Sequence, residues 1–365
     1  MRSILGDSAV SLAKDEIGSV VTVAGFVFDC PHRIVAITQR HFCALVHTFF
    51  SVIQGSPEPG DQVAVRDIQS IASMAIRAAN ILTPLLPFSR GFYTCLWGVP
   101  TDQLTTKWTR VAIFDLHFWR VALQLSVHNT AWLSVSIDHP LLYQMQIGET
   151  PSIRDARQAD AADYIVYSDA YLSDNGDSGI RVVLPQHMWM YMDTSSLTEY
   201  LDFEGVSVPI YINSLEFLAA VMAIVSTVRH LGPEAVHGCH FHLYSDNISA
   251  LSWLRQYRKR SPFHLRLLLL LSYMQIRFNF VLTGGFVPGV TNLWADAVSR
   301  NFRVPNGQTI RQSLASITRL PPPTLGLQIL QSFATDSFTT PSLLARDVLT
   351  SLDGLTGFTS APLSV

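Results

Sequence analysis

Tyr164-Ile165-Val166-Tyr167-Ser168-Asp169-Ala170 and Phe241-His242-Leu243-Tyr244-Ser245-Asp246-Asn247 share one form: an apolar run that closes on Ser-Asp. In each the acid is expected to end a short strand, Tyr164 to Ser168 and Phe241 to Ser245. Glu216, in Asn213-Ser214-Leu215-Glu216, and Asp296, in Trp294-Ala295-Asp296-Ala297, sit instead on segments with helical periodicity. Strands that pair side by side would bring these carboxylates together. Two unit charges about 4 Å apart repel by roughly 4 kcal/mol at an effective dielectric of about 20, so a four-carboxylate cluster calls for cations. The pattern suits a pair of divalent metals.

Around these runs the chain alternates. From Ala162 come strands, a helix from Asn213 to Leu231, the strand into Asp246, helices to about Arg277, a strand Phe278 to Val287 and a last helix near Asp296. That order implies an α/β sheet with helices packed on it. Upstream, Val20 to Phe28 reads as a short strand. Phe42, Leu45, Val46, Phe49, Phe50 and Ile53 recur at helical spacing within Ile37 to Ile53. A Pro- and Gly-rich loop, Gly55 to Asp61, separates that helix from a second over Val63 to Ile81, stopped by Pro84 and Pro87. A third is expected over Arg110 to Leu125, which makes this part a small helical module. After Arg300 the sequence is rich in Ser, Thr and Pro and reads as a linker or frayed tail.

With 365 residues, 48% hydrophobic and 15% charged, the chain can bury a large core in about two domains. The apolar stretch Leu267 to Met274 is too short to span a bilayer, and no charged region, apolar block and cleavage site open the sequence. The expectation is an intracellular protein, of cytoplasm or nucleus, neither secreted nor in a membrane. Cys30, Cys43, Cys95 and Cys239 form no Cys-x-x-Cys pair, which argues against a disulfide framework or a zinc site.

A net charge of −3 excludes a uniformly basic nucleic-acid binder, yet Arg255, Arg258, Lys259, Arg260 and Arg266 cluster with Tyr257, Phe263 and His264. Such a patch can track a phosphate backbone by releasing counterions. It also fits a solvated helix end with cations near the C-terminus. Each acid likewise has a purely structural reading. Asn213 and Glu216 have the spacing of a capping box, Asp246 suits an N-cap, Asp169 a turn, and Asp296 an exposed helix position.

Taken together, residues 164 to 300 resemble the ribonuclease H domain of retroelement reverse transcriptases, especially the DIRS and gypsy types. Val166-Tyr167-Ser168-Asp169-Ala170, Asn213-Ser214-Leu215-Glu216 and Leu243-Tyr244-Ser245-Asp246-Asn247 carry the likeness. So does Val287-Pro288-Gly289 followed by Asn292, Ala295-Asp296 and Ser299-Arg300, the most specific piece. Residues about 12 to 125 are similar to the part that follows the polymerase aspartates, through Lys14, Ala24-Gly25-Phe26 with Asp29, Asp67 to Ile81, Asp115-Leu116 and Trp119-Arg120. The resemblance implies an α/β fold, a ribonuclease H-like mixed sheet with flanking helices, preceded by a small helical thumb- or connection-like module. The implied division is a palm-like end at 1–30, the helical module at 31–130, a linker at 131–161, the ribonuclease H-like domain at 162–302 and a poorly ordered tail at 303–365.

Departures accompany the likeness. No Tyr-x-Asp-Asp polymerase motif occurs, so the chain reads as a fragment or decayed copy whose remaining polyprotein would be a partner. Val290 stands where cellular relatives carry a helper histidine, and Tyr171 replaces the serine that often follows the first Asp-Ala. The implied chemistry is hydrolysis of the RNA strand of an RNA:DNA hybrid by two Mg²⁺ ions about 3.5–4 Å apart, with Mn²⁺ as a substitute. Asp169 would bridge both ions, Glu216 and Asp246 would hold the one at the leaving 3′ oxygen, and Asp296 would complete the nucleophile's site. Arg255, Arg258, Lys259, Arg260, Asn247 and Asn292 are the implied nucleic-acid contacts. Two alternatives stand beside this: another nuclease of the same fold, and a degenerate, non-catalytic nucleic-acid-binding or polymerase-associated fragment.

Replacing Arg258, Lys259 and Arg260 together by Ala is expected to weaken hybrid binding and flatten its salt dependence, by a slope of roughly 1 for each phosphate no longer neutralised. Single-turnover cleavage at saturating enzyme should hardly change. Titrations at several salt concentrations decide it, since equal slopes for parent and variant return the patch to ordinary surface.

Overall fold

Gly25, at φ 91°, breaks the expected strand Val20 to Phe28 into a hairpin, because a left-handed turn is cheap only for glycine. In a computed structural model, β1 (Val20–Val23) turns back as β2 (Phe26–Asp29), which pairs antiparallel with β3 (Ile34–Ile37). The structure describes residues 20–128 except 24, 33, 54, 56 and 101; 134–136; 151–194 except 175, 176, 186 and 187; and 208–256, 262–289, 292 and 318–321. The chain divides into two compact units, Met1–Tyr143 and Gln144–Val365.

In the first unit, α1 (Gln39–His47) starts at Thr38, whose hydroxyl accepts the His41 N–H at 3.2 Å, and runs on as a π-turn, Thr48–Val52. There follow β4 (Gln62–Ala64), α2 (Val65–Ala79), β5 (Thr105–Lys107), α3 (Arg110–His128) and β6 (Ser134–Ser136). Phe49 stacks on Trp119 at 5.2 Å and meets Phe92 edge-on at 5.9 Å, all fully buried. The three expected helices of this module form, and it also carries more strand than the one expected at Val20 to Phe28: β1, β2, β3 and β6 make a four-stranded antiparallel sheet. β1, β2 and β3 are almost wholly apolar in sequence, so no alternation of polar and apolar residues marks them. The boundary placed at residue 30 falls inside the β2–β3 hairpin, where Asp29 pairs with Ile34.

Among the described residues the second unit begins with α4 (Pro151–Asp160), so the expected linker 131–161 contains both β6 and a helix. Then come β7 (Tyr164–Leu172), β8 (Ser178–Leu184), β9 (Met188–Asp193), α5 (Val208–Leu231), α6 (Pro233–Val236) and β10 (His240–Ser245). Next are α7 (Ile248–Gln256), α8 (Pro262–Phe278), β11 (Val281–Phe286) and β12 (Arg319–Leu320). The sheet order is β11-β10-β7-β8-β9-β12. β10 runs parallel to β7 and β11, β7 to β9 form an antiparallel meander, and β12 lies parallel to β9. This is an α/β fold with a mixed sheet and flanking helices.

α5 packs along β7 and β8, burying Leu215, Leu218, Ala219 and Met222, and the Ser226 hydroxyl meets the Met190 sulfur at 3.3 Å. Its stretch Ile212–Leu231 is long and apolar enough to cross a membrane by length and composition, but most of it is buried inside this unit. It serves as the core helix. Part of the expected tail also belongs to the sheet. Arg319 and Leu320 pair with Trp189 and Met190, and the Arg319 guanidinium lies 5.1 Å from the Trp189 ring. A main-chain edge on β9 gives even a Pro-flanked dipeptide partners that its composition does not advertise.

Arg120 ties the first unit's loop to its core. Its guanidinium donates to the carbonyls of Phe49, Gly55 and Ile53 at 2.8, 2.7 and 2.6 Å. Arg120→Met keeps the stem but leaves those acceptors without donors. A loss of about 1–3 kcal/mol in denaturant unfolding is expected, and an unchanged midpoint would show the three bonds to be replaceable by water.

Candidate metal centre

Stacked aromatic pairs set the register on which the acids depend. Tyr164 on Phe241 and Tyr167 on Tyr244 each lie 5.3 Å apart and face each other across the parallel β7–β10 pair. Extending that register by two residues brings Asp246 level with Asp169. α5, lying over β7 and β8, carries Glu216 to the same place. One oxygen from each of Asp169, Glu216 and Asp246 lies within 4.8 Å of the others. Asp169 and Glu216 are buried and Asp246 is half-buried.

The structural readings of these acids are corrected by their surroundings. β7 continues past Asp169 to Leu172 because β8 pairs with it there, so Asp169 lies within a strand and forms no turn. α5 starts at Val208, five residues before the expected start at Asn213, which places Glu216 well inside the helix and removes the capping box. The cap of α7 is Asn247, whose side-chain oxygen accepts the Ala250 N–H at 2.9 Å. Asn247 also donates to the Asn213 side-chain oxygen at 2.8 Å, tying α5 to the end of β10.

Two further residues close the site. A Cβ at Gly289 would sit 2.8 Å from Asp246 Oδ2, so only glycine allows the Pro288-Gly289 turn to lie this close. Asn292, 2% exposed, donates to the Ser168 carbonyl at 3.4 Å while its own N–H bonds to Pro288 O at 3.0 Å. Asn247 and Asn292, expected at the nucleic acid, each make a side-chain hydrogen bond within the chain beside the acids, while Asn292 Oδ1 has no hydrogen-bond partner among the described residues. Asp296, Arg258, Lys259 and Arg260 lie outside the described residues, while Arg255 lies near the end of α7.

The electrostatics follow from this crowding. Burial pushes the Glu216 carboxyl well above the ordinary carboxylate range, and the charges of Asp169 and Asp246 push it further, against a hydrogen bond from the Ala170 N–H. Glu216 Oε2 is buried with no hydrogen-bond partner among the described residues. Hard oxygen donors, converging and incompletely satisfied, fit a divalent cation such as Mg²⁺ or Mn²⁺.

Arg181 is the residue of this neighbourhood that sequence reasoning passed over. It pairs with Asp169 across β7–β8 and is 4% exposed. The one available signal was a charge inside the strand-like run Gly179-Ile180-Arg181-Val182-Val183.

No protein-family model matches the sequence, and no curated protein matches it. Among solved structures, the chain is similar to the N-terminal RNase H domain of rv2228c from Mycobacterium tuberculosis, solved as a maltose-binding-protein fusion. The identity there is 13%, over 42% of this chain and 98% of the other, with a TM-score of 0.28. It is also similar to LC11-RNase H1 in complex with an RNA/DNA hybrid, at 16% identity over 38% and 95% of the two chains, TM-score 0.30. A foamy viral protease-reverse transcriptase dRH in complex with double-stranded DNA matches over 74% of this chain and 38% of that one, at 12% identity and a TM-score of 0.25.

The folded chain holds the Glu216 proton more tightly than the unfolded chain does. This group therefore favours folding below its ordinary value of 4.5 and disfavours it as pH rises through the raised folded value. Glu216→Gln removes that loss. The metal-free variant should melt at least about 2–4 °C above the parent near pH 8, with the two melting curves converging near about pH 4. A variant that melts below the parent at alkaline pH rules out a buried, strained carboxylate here.

Proposed function

We propose that this chain is a ribonuclease H-type endonuclease of retroelement origin, hydrolysing the RNA strand of an RNA:DNA hybrid with divalent metal, normally Mg²⁺. The observation that carries the reading is the convergence of Asp169, Glu216 and Asp246 within 4.8 Å at the level where β7 and β10 run parallel. The sequence resemblance supplies the substrate class and the fourth acid, Asp296. A bound pair of divalent ions contributes Lewis acidity and lowers the pKa of water.

The chain's own residues do the rest. Asp169 and Glu216 would offer buried oxygens where a low dielectric strengthens their hold on a cation, and half-buried Asp246 would offer one on the more exposed side. Glu216 must release its proton before it binds metal, so occupancy and cleavage rise with pH across that titration. Asn247, Gly289 and Asn292 fix the backbone beneath the acids, which keeps the ligands from relaxing apart. Arg255, Arg258, Lys259 and Arg260 take the phosphates, and the hybrid's RNA strand is told from DNA by its 2′-hydroxyls. The remainder of a reverse-transcriptase polyprotein is the proposed partner.

Asp169→Asn is expected to reduce Mg²⁺-dependent hybrid cleavage more than about 100-fold, beyond the loss that outer-shell partners of metals cause. Circular dichroism should be unchanged, because the substitution keeps shape and relieves repulsion. Undiminished hydrolysis by the purified variant would end the assignment.

A further inference from the structure

Arg181 projects from β8 on the face that carries Asp169, directly across the antiparallel pair. Its guanidinium carbon lies 4.3 Å from the Tyr191 ring centroid and 5.7 Å from that of Tyr171. The two phenol oxygens are 3.3 Å apart, so the rings close as a clamp. Gly179 makes the clamp possible: a Cβ there would sit 2.6 Å from the Tyr171 ring and 2.7 Å from the Tyr191 ring. Burial and the hydrogen bond shared with Tyr171 push the Tyr191 phenol up to about 12, so the clamp adds no negative charge of its own.

A buried guanidinium whose surroundings are two aromatic faces and a hydrogen bond with Tyr191 is costly. Arg181 Nε has no hydrogen-bond partner among the described residues. Burial lowers its pKa, and the nearby tyrosines and Asp169 act against that. Of the three clustered acids, Asp169, its partner across the β7–β8 pair, is the one whose charge acts on it, while Asp193 on the neighbouring strand is exposed.

We propose that Arg181 is the built-in counter-cation of the Asp169, Glu216 and Asp246 cluster, restraining the carboxylates when no divalent ion is bound and weakening the cluster's affinity for one. This rests on reading the cluster as a divalent-ion site. A unit positive charge one strand away from a ligand of the dication opposes its binding, while the same charge offsets carboxylate repulsion in the metal-free chain. Arg181 is thus a positioning residue that sets the metal concentration at which the site fills.

The test is a Mn²⁺ titration of the full chain without nucleic acid, followed by calorimetry and by the melting temperature. Arg181→Met should tighten Mn²⁺ binding by about 10-fold, lower the metal-free melting temperature and enlarge the Mn²⁺-induced shift. Arg181→Lys, which keeps the charge, should restore affinity to within about twofold of the parent. Equal or weaker Mn²⁺ binding by Arg181→Met overturns the inference while leaving the metal site standing. No Mn²⁺ binding by the parent overturns the metal site and the inference together. Should Arg181→Met fail to fold, Tyr191→Leu opens the clamp to water. A twofold to threefold tightening then supports the counter-cation, and unchanged affinity overturns it.

Discussion

Three carboxylates held within 4.8 Å of one another repel, and everything around them works against that repulsion. Left to themselves, side chains so placed would rotate apart or draw in water. Rotation is resisted because each acid is anchored differently: Asp169 within a central strand, Glu216 on a helix packed over that strand, Asp246 at the end of a parallel neighbour. No single local movement relieves all three repulsions. Around buried Asp169 and Glu216 water is held off because α5 packs its apolar side chains on β7 and β8, which leaves proton uptake by Glu216 as one way to shed charge.

The register that aligns the acids has its own causes. Parallel strands have no hairpin to set their offset, so side-chain pairs must do it. Tyr164 with Phe241 and Tyr167 with Tyr244 stack across the pair, and a one-residue slip would separate both stacks and send Asp246 to the opposite face. The bond from Asn247 to Asn213 and that from Asn292 to Ser168 then fasten the neighbouring segments to the same register. Asn247 and Asn292 thus also act as fasteners beside the site.

The sequence reveals the acids more clearly than their settings. An apolar run ending in Ser-Asp marks a strand in water-excluded surroundings, and this suffices for the α/β sheet and for the meeting of Asp169 with Asp246. It says nothing of strand length, since Tyr171 and Leu172 extend β7 only because β8 offers partners. The start of α5 escapes for a related reason: Val208 to Ile212 lacks a polar cap, and the first clear cap-like residue downstream is Asn213. Of the first unit's four-stranded sheet only the stretch Val20 to Phe28 reads as strand, because the others are nearly all apolar or three residues long, and the two-residue β12 is shorter than any period.

Tyr171, Gly179, Arg181 and Tyr191 are best understood as one set. A tyrosine at 171 needs empty space across the β7–β8 pair, which only glycine at 179 leaves. An arginine at 181 needs its charge faced by something other than water, and the rings of Tyr171 and Tyr191 provide faces on which a guanidinium is partly solvated. Tyr191 in turn is held by its hydrogen bond with the Tyr171 hydroxyl. The departure of Tyr171 from the serine of the resembled pattern is therefore no isolated change. It supplies half of the aromatic lining that allows a cation to be buried across from Asp169, so the altered position and the acid cluster belong to one electrostatic arrangement.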